Sequence, residues 1–243
     1  MEPLAWNDLW PPDANALFVP QLVTAAVTVF VLGEWFGRLA AGGTPAVSPA
    51  RAVAAKLVGG SWMAVATLGI VGWLGVPLAD TAIVPGSVGL SLGLAVAIGL
   101  AITPVLVCAG WLPEMRQFYP EMRLAAGTVT AAGAWRWRLA MIGSWLVYLV
   151  GYEALFRGLL LPLLARELTL WPGIAVTTGL YVLAHLARPS AESLASIPAG
   201  FVLAAITLLT GSILAAVVLH WIIASVNETA SSMRAGPDRG PLH

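Results

Sequence analysis

The feature that most constrains this chain is a series of apolar runs, each close to the ~20 residues that a helix needs to cross a bilayer. Seven can be read, at about 18–37, 57–76, 86–112, 139–164, 171–187, 194–212 and 213–233. The last two abut at Gly211 and Ser212, which demands a very tight turn or a shorter sixth helix there. In lipid only helices and closed barrels satisfy their own backbone groups, and these runs are too long and too uniformly apolar for barrel strands. The expected fold is therefore all-α, a polytopic membrane helix bundle of about seven transmembrane helices. Composition agrees: 59% of the 243 residues are hydrophobic and 10% charged, with a mean hydropathy of +0.86.

Charge adds direction. Twelve Lys plus Arg balance twelve Asp plus Glu, which gives no footing for a nucleic-acid partner. With the N-terminus outside, ten of the twelve basic residues fall on cytoplasmic segments: Arg38, Arg51, Lys56, Arg116, Arg123, Arg136, Arg138, Arg188, Arg234 and Arg239. Arg166 is then external and Arg157 lies within a span. The positive-inside rule thus favours N-out/C-in, and the eleven Trp and four Tyr suit the aromatic belts of the two interfaces. An integral protein of the bacterial cytoplasmic (inner) membrane is expected. Met1 to Asn15 holds three acidic and no basic residues, unlike the basic start of a signal peptide, so a retained N-terminus is expected. Cys108, the one cysteine, sits in an apolar run, so no disulfide framework can form. The stretch 113–138, with its two Pro-Glu and Met-Arg pairs, reads as a cytoplasmic, partly interfacial connection. It divides the chain into an N-terminal three-helix region with linker (1–134), a four-helix core (135–233) and a Gly- and Pro-rich tail (234–243) expected to be disordered. Spacings such as Gly33 to Gly37 and Gly89 to Gly93 are compatible with close helix contact.

Ionisable groups inside a span are costly, so those that persist are functional candidates. Glu153 and Arg157 stand one turn apart and can pair; so can Glu34 and Arg38, which read as an interfacial pair, with Glu228 near the same interface. Tyr181 and His185 share a face of the fifth run, as do His220 and Asn227 on the seventh. Helices four, five and seven could thus aim a carboxylate and two imidazoles at one cavity, a hydrolase-like set.

These residues resemble the CAAX protease and bacteriocin-processing (CPBP, Abi) family of intramembrane glutamic endopeptidases, over about 135–230. That family's pattern is Glu-Glu-x-x-x-Arg, then an aromatic with His four later, then His-x-x-x-Asn. Glu153 matches its second Glu, Arg157 its Arg, Tyr181 and His185 its second motif and His220 its last His. Tyr152 stands where the first Glu is usual and Ala224 where the Asn is usual. The stretch from His185 to Glu192, with Arg188-Pro189 between, is similar to a branch of the family with one Glu in the first motif. The resemblance implies a carboxylate-activated water, with Glu153, Glu192, His185, His220 and Asn227 as catalytic candidates and Arg157 as a structural ion-pair partner. Pairing with Arg157 makes Glu153 the weaker base, and helix counting sets Glu192 nearer the depth of His185. The partners implied are a peptide or membrane-protein substrate and the lipid bilayer. No cofactor is implied; His, His and Glu could also ligate zinc, but the implied glutamate chemistry and the lack of a His-x-x-x-His pair set a metal aside. A second function class stays open, an inactive relative serving as a membrane scaffold, immunity or regulatory protein.

Overall fold

The computed structural model describes residues 18–42, 48–119 and 131–233. The N-terminus expected to be retained and the tail expected to be disordered therefore lie outside the described residues. All regular structure among the described residues is helical: α1 (Phe18–Ala40), α2 (Pro49–Trp73), α3 (Val88–Gly110), α4 (Pro113–Phe118), α5 (Ala131–Glu153), a π-helical segment (Ala154–Leu160), α6 (Leu161–Glu167), α7 (Leu170–His185), α8 (Ser190–Thr210) and α9 (Leu214–Met233). A short 3₁₀ turn, Leu78–Asp80, interrupts the α2–α3 loop.

Six helical runs are long and apolar enough to cross a membrane, with α5, the π segment and α6 continuing as one of them. The chain is an integral membrane protein. α7 is the short one. Its 16 residues rise only about 24 Å, less than a ~30 Å hydrocarbon core. Its two ends nevertheless sit at opposite ends of the bundle. Just before α7, Arg166 pairs at 2.9 Å with Asp80 of the α2–α3 loop; just after it, the Ser190 amide bonds Glu114 of α4, which follows the far end of α3. The four residues 186–189 complete the crossing, so the chain traverses the bundle seven times.

Two helices begin earlier than the apolar pattern indicates. α2 starts at Pro49, with Pro pre-set for the first turn and Ser48 Oγ accepting the Arg51 amide at 3.3 Å. Arg51 and Lys56 dilute the hydropathy of its first turns, as Arg136 and Arg138 do for α5. The tight turn at Gly211 is present: Gly211 ends α8 in the left-handed region, φ 66°, which favours glycine.

α1 packs on α2, α2 on α5, and α3 on α9. Glycine sets two of these crossings. A Cβ on Gly37 would lie 2.8 Å from the Ala55 carbonyl oxygen, and one on Gly151 would overlap the Gly60 carbonyl, so both helix pairs meet backbone to backbone. Gly89 and Gly93, by contrast, face open space. One apolar cluster runs through the bundle from Leu22 and Met63 to Leu149, Leu155, Leu203 and Leu219.

Candidate functional site

The site is built where α5 gives way to the π segment. Glu153 is the last α-helical residue, and beyond it the ladder widens, with the Leu161 amide reaching the Phe156 carbonyl. Such wide turns leave backbone groups free and recur at functional sites. Here the Gly158 carbonyl is taken by the Ala82 amide at 2.9 Å, and Ala82 in turn accepts from the Ile213 amide at 2.8 Å. The α2–α3 loop is thereby clasped to the core and to the α8–α9 turn.

Glu153 and Arg157 are both fully buried and form an ion pair at 3.2 Å. Arg157 also stacks its guanidinium 4.2 Å over the Tyr181 ring, which ties α7 to the pair. The partner that sequence spacing does not reveal is His220, whose Nδ1 lies 2.5 Å from Glu153 Oε1. A carboxylate only accepts, so the hydrogen sits on Nδ1 and Nε2 is left unengaged by Glu153. His185 is fixed in the same sense. Its Nδ1 donates to the Tyr181 carbonyl oxygen at 2.8 Å, leaving Nε2 as the free nitrogen. The two imidazoles face each other with centroids 6.3 Å apart. Glu153 and His185 are therefore at neighbouring depths, closer than helix counting indicates, because His220 bridges them from α9.

A cavity of about 660 Å³ opens beside these rings, with His185, His220, Asn227 and Glu192 in its wall. Glu153 is not in that wall; it lies behind His220. Glu192, in the first turn of α8, accepts the Tyr119 hydroxyl on Oε2 at 2.7 Å. Asn227 is buried, and its Oδ1 has no hydrogen-bond partner among the described residues. Tyr152 fills the place of the usual first Glu of the resemblance with a buried ring, stacked at 5.9 Å on Tyr148 and edge-on at 5.8 Å to His220. Its hydroxyl is likewise without a partner. Among the described residues no group of three or more His, Cys, Asp or Glu is arranged to hold a metal ion.

Three further carboxylates make contacts that the sequence does not show. Glu228, expected near the interface, is fully buried, with the Trp145 indole N–H donating to it and Lys56 at 3.8 Å. The long α5 covers that turn of α9, and position along the chain gives no sign of it. Glu34, read as the partner of Arg38, accepts the Tyr148 hydroxyl at 2.6 Å. Glu114 caps α8 from outside, accepting the Ser190 hydroxyl at 2.7 Å and the Ser190 and Ala191 amides at 3.2 Å each. The Ser190 hydroxyl, followed by the Ala191 amide, holds the Glu114 carboxyl below the usual carboxylate range.

Residues 134–226 match the family described as type II CAAX prenyl endopeptidase, Rce1-like. This segment contains Glu153, Arg157, Tyr181, His185, Glu192 and His220, so the resemblance read from the three motifs is borne out over the region that carries them. No curated protein and no solved structure matches the chain.

Proposed function

We propose that this chain, which carries the Rce1-like CAAX endopeptidase region over residues 134–226, is an intramembrane endopeptidase that cuts a membrane-associated protein or peptide with a carboxylate-activated water. The observation that carries the proposal is the shared cavity wall: His185, His220, Asn227 and Glu192 border one space of about 660 Å³, with Glu153 set behind His220.

In this reading Glu192 takes the proton from water. Tyr119 occupies its Oε2, and Oε1 is available to the attacking molecule. His185, with its hydrogen committed to the Tyr181 carbonyl, presents Nε2 as an acceptor that orients the same water. The Asn227 amide N–H donates to the oxygen of the attacked carbonyl as it becomes tetrahedral, and His220, held by Glu153 through Nδ1, donates to it from Nε2 when the ring carries its second proton. The proton then passes to the leaving amine and both peptide fragments are released. Glu153 and Arg157 act as a positioning pair, since their carboxylate and guanidinium fix the ring of His220 and the face of Tyr181. The proposal puts the chain in a bacterial cytoplasmic membrane with the mouth of the cavity on the cytoplasmic side, where the basic residues cluster.

The test is peptide-library cleavage by the purified protein in vesicles, read by mass spectrometry. Glu192→Gln is expected to lower product by ~10²-fold or more at unchanged melting temperature, and His220→Ala to lower it as far at equal amounts of folded protein, while Glu153→Gln first lowers the yield of folded protein. Full cleavage by Glu192→Gln with loss in equally expressed Glu153→Gln would move the base to Glu153. An unchanged product pattern in a variant lacking both His185 and His220 would end the peptidase reading.

A further inference from the structure

Two guanidinium groups at the basic end of the bundle make no direct ion pair with a carboxylate among the described residues, although Glu192 and Glu34 lie near enough to Arg188 to attract it. Arg38, in the last turn of α1, is exposed and has no hydrogen-bond or ion-pair partner among the described residues. The Arg188 guanidinium, in the loop between α7 and α8, donates to the Tyr119 hydroxyl at 3.4 Å and lies over the rings of Phe118 at 5.2 Å and Trp145 at 5.8 Å. Both line a pocket of about 170 Å³ between α1, α2 and α5. Lys56 is a third cation in its wall, and Glu34, already bonded to Tyr148, is the one acidic residue there.

Lys56 is already paired with Glu228 at 3.8 Å, so the pocket's excess of positive charge comes from Arg38 and Arg188 against Glu34, and it favours an anion. Two forked guanidinium groups in particular match the oxygens of a phosphate, which they can bind bidentately. The location narrows the source. Arg38 is flanked on α1 by Trp35 and Leu39, 53% and 51% exposed, at the end of a membrane-spanning helix where aromatic side chains mark the headgroup level. Basic pockets between transmembrane helices at this level take lipid headgroups.

We propose that Arg38 and Arg188 form a phosphate-binding subsite, filled by the headgroup of an anionic phospholipid. It stands apart from the peptidase reading, because neither guanidinium is assigned a part in hydrolysis. Arg38 and Arg188 also line the large cavity, so a bound headgroup would sit at that cavity's edge.

Thermal unfolding, followed by Trp fluorescence, is measured in phosphatidylcholine nanodiscs with and without phosphatidylglycerol. In a third arm inorganic phosphate is added to the phosphatidylcholine discs. Phosphatidylglycerol at about 100 times its dissociation constant is expected to raise the melting temperature by ~5 °C. Arg38→Gln and Arg188→Gln should each remove most of that rise. Arg38 is exposed, so Arg38→Gln keeps the fold and alone suffices for the test. A rise of equal size from inorganic phosphate would keep the subsite and overturn the lipid as its ligand. No rise in either arm, or a rise that survives intact in Arg38→Gln, would overturn the subsite itself.

Discussion

Glu153 and Arg157 offer the sharpest test of how this bundle holds charge. At 3.2 Å the two groups attract by about 5 kcal/mol at an effective dielectric constant of ~20. Removing one partner leaves the other charged and fully buried, which typically costs ~3–5 kcal/mol. Arg157→Met should reach that range or exceed it slightly, since it also deletes the guanidinium over Tyr181, a contact worth ~0.5–2 kcal/mol. Replacing both residues is different: an apolar, uncharged pair of similar volume is often near neutral. The double variant Glu153→Gln/Arg157→Met should therefore be less destabilised than Arg157→Met alone. The assay is reversible unfolding of the four proteins of this cycle in mixed micelles, titrated with denaturing detergent. Stability of Arg157→Met equal to wild type, or a double variant whose loss equals the sum of the two single losses, would show that the pair is not coupled and refute the reasoning.

Two predictions concern the ends of the bundle. Seven crossings and the clustering of basic residues at one end predict a cytoplasmic C-terminus, so a reporter fused after His243 should be active there, and periplasmic activity of the fusion would reverse the topology. The second concerns Glu114, whose carboxyl titrates below its ordinary range when folded. Its support of α8 is present above the unfolded carboxylate range and lost as pH falls through the lowered folded value. The difference in melting temperature between wild type and Glu114→Gln should accordingly be constant near neutrality and vanish on acidification; a difference that persists at the acid end would sink the capping role.

Much of this arrangement is legible in the chain because lipid simplifies the code: with no water to satisfy a backbone, an apolar run must be a helix. Helix ends are less legible. The first turns of α2 and α5 carry Arg51, Lys56, Arg136 and Arg138, which hydropathy assigns to loops although the backbone continues as helix. Glu153 and Arg157 can be paired from their spacing alone. The Glu153–His220 contact spans 67 positions and needs the bundle itself. The π segment is also hidden, since Ala154–Leu160 is buried on every side and so presents no stripe whose period could reveal the wider turn. Glu228 illustrates the limit best. A carboxylate five residues before the end of α9 at Met233 reads as interfacial, and only the indole of Trp145, 83 positions earlier, shows why it is buried.

The clasp of the α2–α3 loop onto Gly158 has an electrical consequence. With Ala82 and Ile213 bonded across that end, the packed half of the protein lies between the clasp and the cavity. In the proposed reading the cavity is open to solvent at the basic end, and the membrane voltage would then fall mainly across this packed half. Each unit charge carried through that field exchanges ~2.3 kcal/mol per 100 mV. Glu153 and Arg157 sit there with opposite signs, and their sum couples to the voltage only through a short dipole. A lone carboxylate at the same depth would gain or lose stability whenever the membrane was energised, whereas the paired one leaves the bundle indifferent to it.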